Sequence, residues 1–213
     1  MLVVYYFVWI MVRIVTGLFF RIRISGLTHL PAKGGFIVAT NHISYYDPPL
    51  VGSWSPRRLY YLAKKELFRN RFIGMILTGV YALPVKRTGI DRKALELCVT
   101  KIRDGAGLVL FPEGTRSLTD RFLDPRPGIG IIAIRAGCPI VPGYIHGTNR
   151  LGACLIGKER LSLTFGEPLS ASWVSSIPPD KEGYRKVAET VMERIGELRD
   201  KGIALKPGTP MTD

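Results

Sequence analysis

The first twenty positions of the chain are almost continuously apolar, and Arg13 is the only charged residue among them. These residues surround a helical cylinder instead of lining one stripe of it, the pattern of a helix buried in protein or in lipid. A helix of that length measures about 30 Å, enough to cross a bilayer. Arg13 at mid-depth costs roughly 2.5–3.5 kcal/mol, less if it snorkels. Tyr5, Tyr6 and Trp9 suit headgroup level, and Arg21 and Arg23 follow at once. Embedding in one leaflet is therefore favoured over a single span; a buried core helix is the third reading. The segment has no basic n-region or small-residue cleavage site, which argues against a signal peptide.

After residue 20 the pattern changes to short alternations. Positions 21–26 alternate Arg-Ile-Arg-Ile, a half-buried strand. Buried strands are predicted at 36–40, 59–63, 107–111, 139–145 and 161–165. Helices are predicted to start near Pro48 and to cover 91–103, 128–136 and 181–201. In 91–103, Leu95, Cys98, Val99 and Ile102 share one side; in 181–201, Val187, Val191, Ile195 and Leu198 do so, with Gly202 as the stop. Strands alternating with helices predict an α/β domain with a mostly parallel central sheet flanked by helices. The expected organisation is a membrane-anchoring helix at 1–20, one domain over 21–205 and a flexible tail at 206–213.

Charge sharpens this picture. Of the formal +13, residues 1–103 carry 16 Lys and Arg against 4 Asp and Glu, a balance of +12. The basic half contains the apolar helix, which points to an anionic membrane surface. No helix-turn-helix, zinc-finger or RNP pattern accompanies the charge, so nucleic acid is not expected as a partner. Cys98, Cys138 and Cys154 are widely spaced and form no C-x-x-C, so neither a zinc site nor a disulfide framework is expected.

Two segments carry candidate chemistry. Asn41-His42-Ile43-Ser44-Tyr45-Tyr46-Asp47-Pro48 follows a buried strand and supplies a base and a carboxylate. On a regular helix the two would point about 140° apart. They meet only if 42–47 is a turn, and a residue before proline is pushed out of helical geometry. His42 then suits a general base and Asp47 its orienting carboxylate. Alternatively His42 is a hydrogen-bonded structural histidine and Asp47 a helix cap. The second segment, Pro112-Glu113-Gly114-Thr115-Arg116-Ser117, follows the strand at 107–111. Gly114 permits a tight turn, Glu113 is an acceptor for a hydroxyl or for Arg116, and Arg116 is a fork-shaped donor suited to phosphate. The chain has no G-x-S-x-G nucleophile elbow, which favours direct attack by a hydroxyl without an acyl-enzyme.

In this order and at this separation, the two segments resemble the active-site blocks of the glycerolipid acyltransferase family. Two weaker blocks agree: 63–87, ending Leu83-Pro84-Val85-Lys86-Arg87, and Ile140-Val141-Pro142. The resemblance covers about residues 25–170. It implies acyl transfer from an acyl thioester, on acyl-carrier protein or coenzyme A, to 1-acylglycerol-3-phosphate (lysophosphatidic acid), with no cofactor and no metal. It implies catalysis by His42 and Asp47, and substrate binding by Arg87, Glu113, Gly114, Thr115, Arg116 and Lys64. It also implies a peripheral or monotopic place on the cell membrane, with the domain on the cytoplasmic face. The chain departs from the family at Arg71 (often Pro), Lys86 (Asp), Leu118 (often basic) and Pro125-Arg126-Pro127-Gly128 (usually Phe-Lys-x-Gly). Those departures concern the acceptor headgroup more than the reaction; another lysophospholipid or glycerol-3-phosphate is the alternative acceptor, and a non-catalytic lipid binder the alternative role.

Overall fold

The computed structural model describes residues 2–86, 91–119 and 121–204. Short apolar runs form seven strands: β1 (Arg23–Ser25), β2 (Phe36–Thr40), β3 (Leu59–Lys64), β4 (Ala82–Val85), β5 (Gly107–Leu110), β6 (Ile140–His146) and β7 (Ser162–Phe165). They lie side by side in the order β1-β7-β6-β2-β5-β3-β4. Every pairing is parallel except β6 with β7. β2 and β5 are buried along their whole length, as expected of central parallel strands covered on both faces. The expected α/β fold with a mostly parallel sheet is the one found.

Helices cover both faces. On one side pack α4 (Arg92–Arg103), α5 (Gly128–Ala136) and α8 (Lys181–Ala204), which bury Cys98, Ile102, Ile132, Val187, Val191 and Ile195. On the other, α2 (Asp47–Trp54) buries Leu50 and Val51 against Phe36, Val38 and Val109. The short helices α3 (Arg71–Gly79), α6 (Leu151–Leu155) and α7 (Ala171–Ser175) fill the connections. The Asp91 side chain caps α4 by accepting from the Ala94 N–H, and Asn70 caps α3 through the Phe72 and Ile73 N–H groups. α8 runs through Gly202, the predicted stop; the glycine costs about 1 kcal/mol in a helix and is outweighed by the face that Val187, Val191 and Ile195 bury earlier in α8. β4 was not foreseen: it is four residues long and contains Pro84, which only an edge strand tolerates.

The apolar N-terminal residues form α1 (Leu2–Ile14), continued by a π-helical turn over Val15–Phe19. By length and composition the run Leu2–Phe19, with a mean hydropathy of 2.0, is long enough to cross a bilayer. One side of it is nevertheless docked on the domain. Tyr5 is buried and meets Tyr81 edge to face at 5.5 Å. The Arg13 guanidinium lies between Trp9 and Trp54, and its Nε donates to the Ser53 carbonyl at 2.6 Å. A cation there complements the C-terminal end of α2. Trp54 Nε1 donates to Thr16 Oγ1 at 3.0 Å. Val3, Phe7, Ile10, Met11 and Ile14 face outward.

Directly after β1, beside the end of β7, Gly26 holds a positive φ of 71°, and a Cβ there would come 1.9 Å from the Phe165 carbonyl oxygen. Gly26→Ala is expected to cost at least about 2 kcal/mol, from backbone strain plus the clash, read as a lowered urea midpoint.

Candidate active site

β2, β5, β3 and β6 run parallel, so their C-terminal ends open at one edge of the sheet, the edge where ligands of such sheets bind. At the end of β2 the Asn41 amide continues the ladder with its side chain. Nδ2 donates to the Ile145 carbonyl at 2.9 Å, and Oδ1 accepts from the Ile145 N–H at 2.7 Å. The main chain is thereby free to leave the sheet at His42. Residues 42–46 form the turn that the spacing demanded, and α2 starts at Asp47.

That turn closes on one carboxylate. Asp47 is fully buried, and its Oδ2 accepts from the Ile43 and Ser44 N–H groups, both at 2.7 Å, and pairs with His42 Nδ1 at 2.8 Å. The other oxygen, Oδ1, accepts from Thr148 Oγ1 at 2.5 Å. A carboxylate only accepts, so a proton sits on Nδ1, and Nε2 is the nitrogen through which the ring can act as a base. Phe111 stacks on the imidazole at 4.0 Å and fixes the ring plane. The arrangement is a histidine base with its orienting acid. Asp47 does not cap α2: it is the first residue of the helix, and it reaches back to the turn before it.

The second motif is bonded to the first. Glu113 is buried, and its two carboxylate oxygens accept from the His42 N–H at 3.0 Å and the Leu123 N–H at 2.8 Å. The His42 carbonyl accepts from the Ser117 N–H at 2.8 Å. The histidine backbone is thus held on both sides by residues more than seventy positions away. Gly114 has a φ of 70°, and a Cβ there would lie 2.6 Å from Arg126 Cδ, so the glycine admits that side chain over the turn. Thr115 is exposed on the turn. The Arg116 guanidinium stacks on the Tyr45 ring at 3.5 Å; among the described residues it has no carboxylate partner. Lys64 is exposed at the end of β3. Extending the strand registers puts it level with Asn41, the residue before His42, two strands away and about 10 Å by strand spacing. Arg87 lies outside the described residues.

Thr148, Phe111 and Tyr45 were not singled out from the sequence. Thr148 follows β6, the strand beside β2, and a hydroxyl just past the end of a neighbouring strand is the signal that could have found it. The remaining histidines serve the frame: His29 Nδ1 bonds the Phe165 carbonyl, and His146 pairs with Glu159 at 2.9 Å. Burial pushes the Cys98 and Cys138 thiols up to about 12, which leaves them protonated and poorly nucleophilic.

With this geometry in place, comparison with known proteins is decisive. The family model "Acyltransferase" matches residues 21–146, more than half of the chain. The chain belongs to this acyltransferase family. A Bacillus subtilis relative named 1-acyl-sn-glycerol-3-phosphate acyltransferase is 30% identical over 190 residues, 89% of this chain and 94% of the relative. A Streptococcus pneumoniae protein of the same name is 28% identical, over 78% of this chain and 61% of its own length. The crystal structure of the 1-acyl-sn-glycerophosphate acyltransferase PlsC from Thermotoga maritima superposes with a TM-score of 0.65 and 28% identity. That match covers 84% of this chain and 72% of the other.

Two consequences of the acyltransferase site are measurable. Thr148→Val removes one hydrogen bond to the buried carboxylate, about 1.5 kcal/mol, and turnover should fall roughly tenfold with KM little changed. Steady-state kinetics decide it, with the melting temperature as a control. Burial also holds the Glu113 carboxyl above its ordinary value, against the backbone N–H groups of Leu123 and His42 that favour its charged form. The native state therefore binds this proton more tightly than the unfolded chain. Its contribution to stability is full below the ordinary carboxylate range and is lost as pH rises through the raised value. As pH rises from the ordinary carboxylate range through the raised value, unfolding free energies of wild type should fall relative to Glu113→Gln. Parallel curves in urea denaturation would contradict the assignment.

Proposed function

We propose that this acyltransferase moves a fatty acyl chain from an acyl thioester to the sn-2 hydroxyl of 1-acylglycerol-3-phosphate, giving phosphatidic acid. The observation that carries the reading is the pairing of His42 Nδ1 with a carboxylate saturated with donors, which leaves Nε2 as the ring nitrogen that can take a proton. The acceptor oxygen attacks the thioester carbonyl while His42 Nε2 takes its proton. The tetrahedral intermediate then collapses, the C–S bond breaks, and the imidazolium returns the proton to the leaving thiolate. His42 and Asp47 are the catalytic pair. Glu113 acts by holding the His42 main chain in place. Arg116, presented on Tyr45, is the phosphate contact, with Arg87 and Lys64 as its cationic company and Gly114 and Thr115 shaping the turn beside it. The names of the relatives favour this acceptor.

The donor is acyl-carrier protein or acyl-coenzyme A, both acidic and both attracted by the basic half of the chain. No further cofactor enters this chemistry. The outward apolar face of α1 supports embedding in one leaflet of the cell membrane with the domain on the cytoplasmic side.

Thiol release is measured with each donor and 1-acylglycerol-3-phosphate in micelles. Acceptor-dependent release should drop on the order of 10²–10⁴-fold in His42→Ala, which should still bind membranes. Undiminished release from the variant would remove His42 as the base. No release from folded wild type with either donor would turn attention to a different lysophospholipid or to glycerol-3-phosphate.

A further inference from the structure

α3 is built inside out. Its buried residues are Gly74 and Gly79, while Phe72 is 75% exposed, Met75 57%, and Ile73 and Ile76 more than 40%. The glycines bring the helix close to its neighbours. A Cβ at Gly74 would lie 3.0 Å from the Phe68 carbonyl oxygen, and one at Gly79 2.7 Å from Val4 Cγ1. α3 therefore touches α1 at its C-terminal end, and both of these adjoining helices carry large apolar residues that are exposed. A soluble protein gains nothing from exposing four large apolar side chains on a nine-residue helix.

Charge indicates what covers that surface. Lys64, Lys65 and Arg69 are exposed on the strand end and 3-10 turn that lead into α3, Arg71 is exposed as its first residue, and Glu66 is the only acid from 64 to 71. Large apolar residues beside a cluster of cations form the signature of a helix lying in the headgroup region of an anionic leaflet. The path of the chain adds a consequence. α3 follows β3, whose C-terminal end lies at the same sheet edge as His42, and runs back to meet α1.

We propose that α3 is a second membrane-inserting element, continuous with α1, which seats the active-site edge of the domain on an anionic lipid leaflet. It rests on the reading of α1 as an anchor and deepens it. α1 holds the protein to the membrane; α3 and its cations bring the leaflet to the mouth of the site, so a lysolipid enters without leaving the lipid phase. The basic cluster meets anionic headgroups, and Phe72 and Met75 enter the acyl boundary beneath them.

The test compares Phe72→Asp/Met75→Asp with Phe7→Asp/Ile10→Asp in the full chain. Partition is measured on phosphatidylglycerol and phosphatidylcholine vesicles, and circular dichroism verifies folding. The α3 pair should reduce partition onto phosphatidylglycerol about tenfold and raise the apparent KM for acceptor embedded in vesicles. Turnover of a short-chain, water-soluble lysophosphatidate should stay within about twofold. Unchanged partition in the α3 pair, with loss in the α1 pair, overturns the proposal and leaves α1 as the anchor. Unchanged partition in both removes the anchor reading as well. Loss of a wild-type dimer in the α3 pair, with vesicle binding intact, overturns it in favour of an interface between copies. A Phe72→Trp variant gives an independent reading: dibrominated acyl chains should quench its added emission, and no quenching overturns insertion. Partition needs no turnover, so a failure of acyl transfer and a failure of insertion are read separately.

Discussion

A single carboxylate organises the catalytic edge of this molecule. Asp47 is out of contact with water, and a bare charge there would be prohibitively costly. Four donors converge on it: the His42 ring, the Ile43 and Ser44 amides and the Thr148 hydroxyl. Together they serve three constraints. The amides fix the turn, the hydroxyl ties that turn to the end of β6, and the ring proton orients the base. Removing the carboxylate would release all three at once, so its role in chemistry and its role in local architecture are the same set of bonds.

Glu113 does for the histidine main chain what Asp47 does for its ring. The motif glutamate spends both oxygens on backbone N–H groups, one of them that of His42, and the Ser117 N–H closes the other side. Two motifs far apart in the chain are thereby one folded unit, and the strand order that sets β5 beside β2 is what allows it. The functional consequence is precision: a general base loses effectiveness with small misplacement, and here neither its ring nor its backbone has freedom to drift.

Much of this was legible in the sequence, for physical reasons. Central strands such as β2 and β5 read as unbroken apolar runs because both faces are covered, and the incompatibility of a five-residue spacing with a helix forced the turn before α2. What stayed hidden depends on contacts between distant segments. Thr148 is one polar residue among many until β6 lies beside β2. Glu113 reads as a ligand group until its two amide partners are seen. Tyr45 gains meaning only from the guanidinium resting on it. Pro84 concealed β4, since an edge strand tolerates what a central one does not.

The docking of α1 has a practical corollary for anyone seeking a lipid-free domain. Arg13 and Thr16 grip the C-terminal end of the helix whose first residue is Asp47, and Tyr5 closes over Tyr81. Cutting the chain after residue 20 would strip Trp54 of its hydrogen-bond acceptor, leave the Ser53 carbonyl without its cation and uncover the faces of α2 and α3 on which α1 packs. The shortened protein would be a domain with an open wound on one flank, and its insolubility or weak turnover would report that wound, not the absence of a membrane.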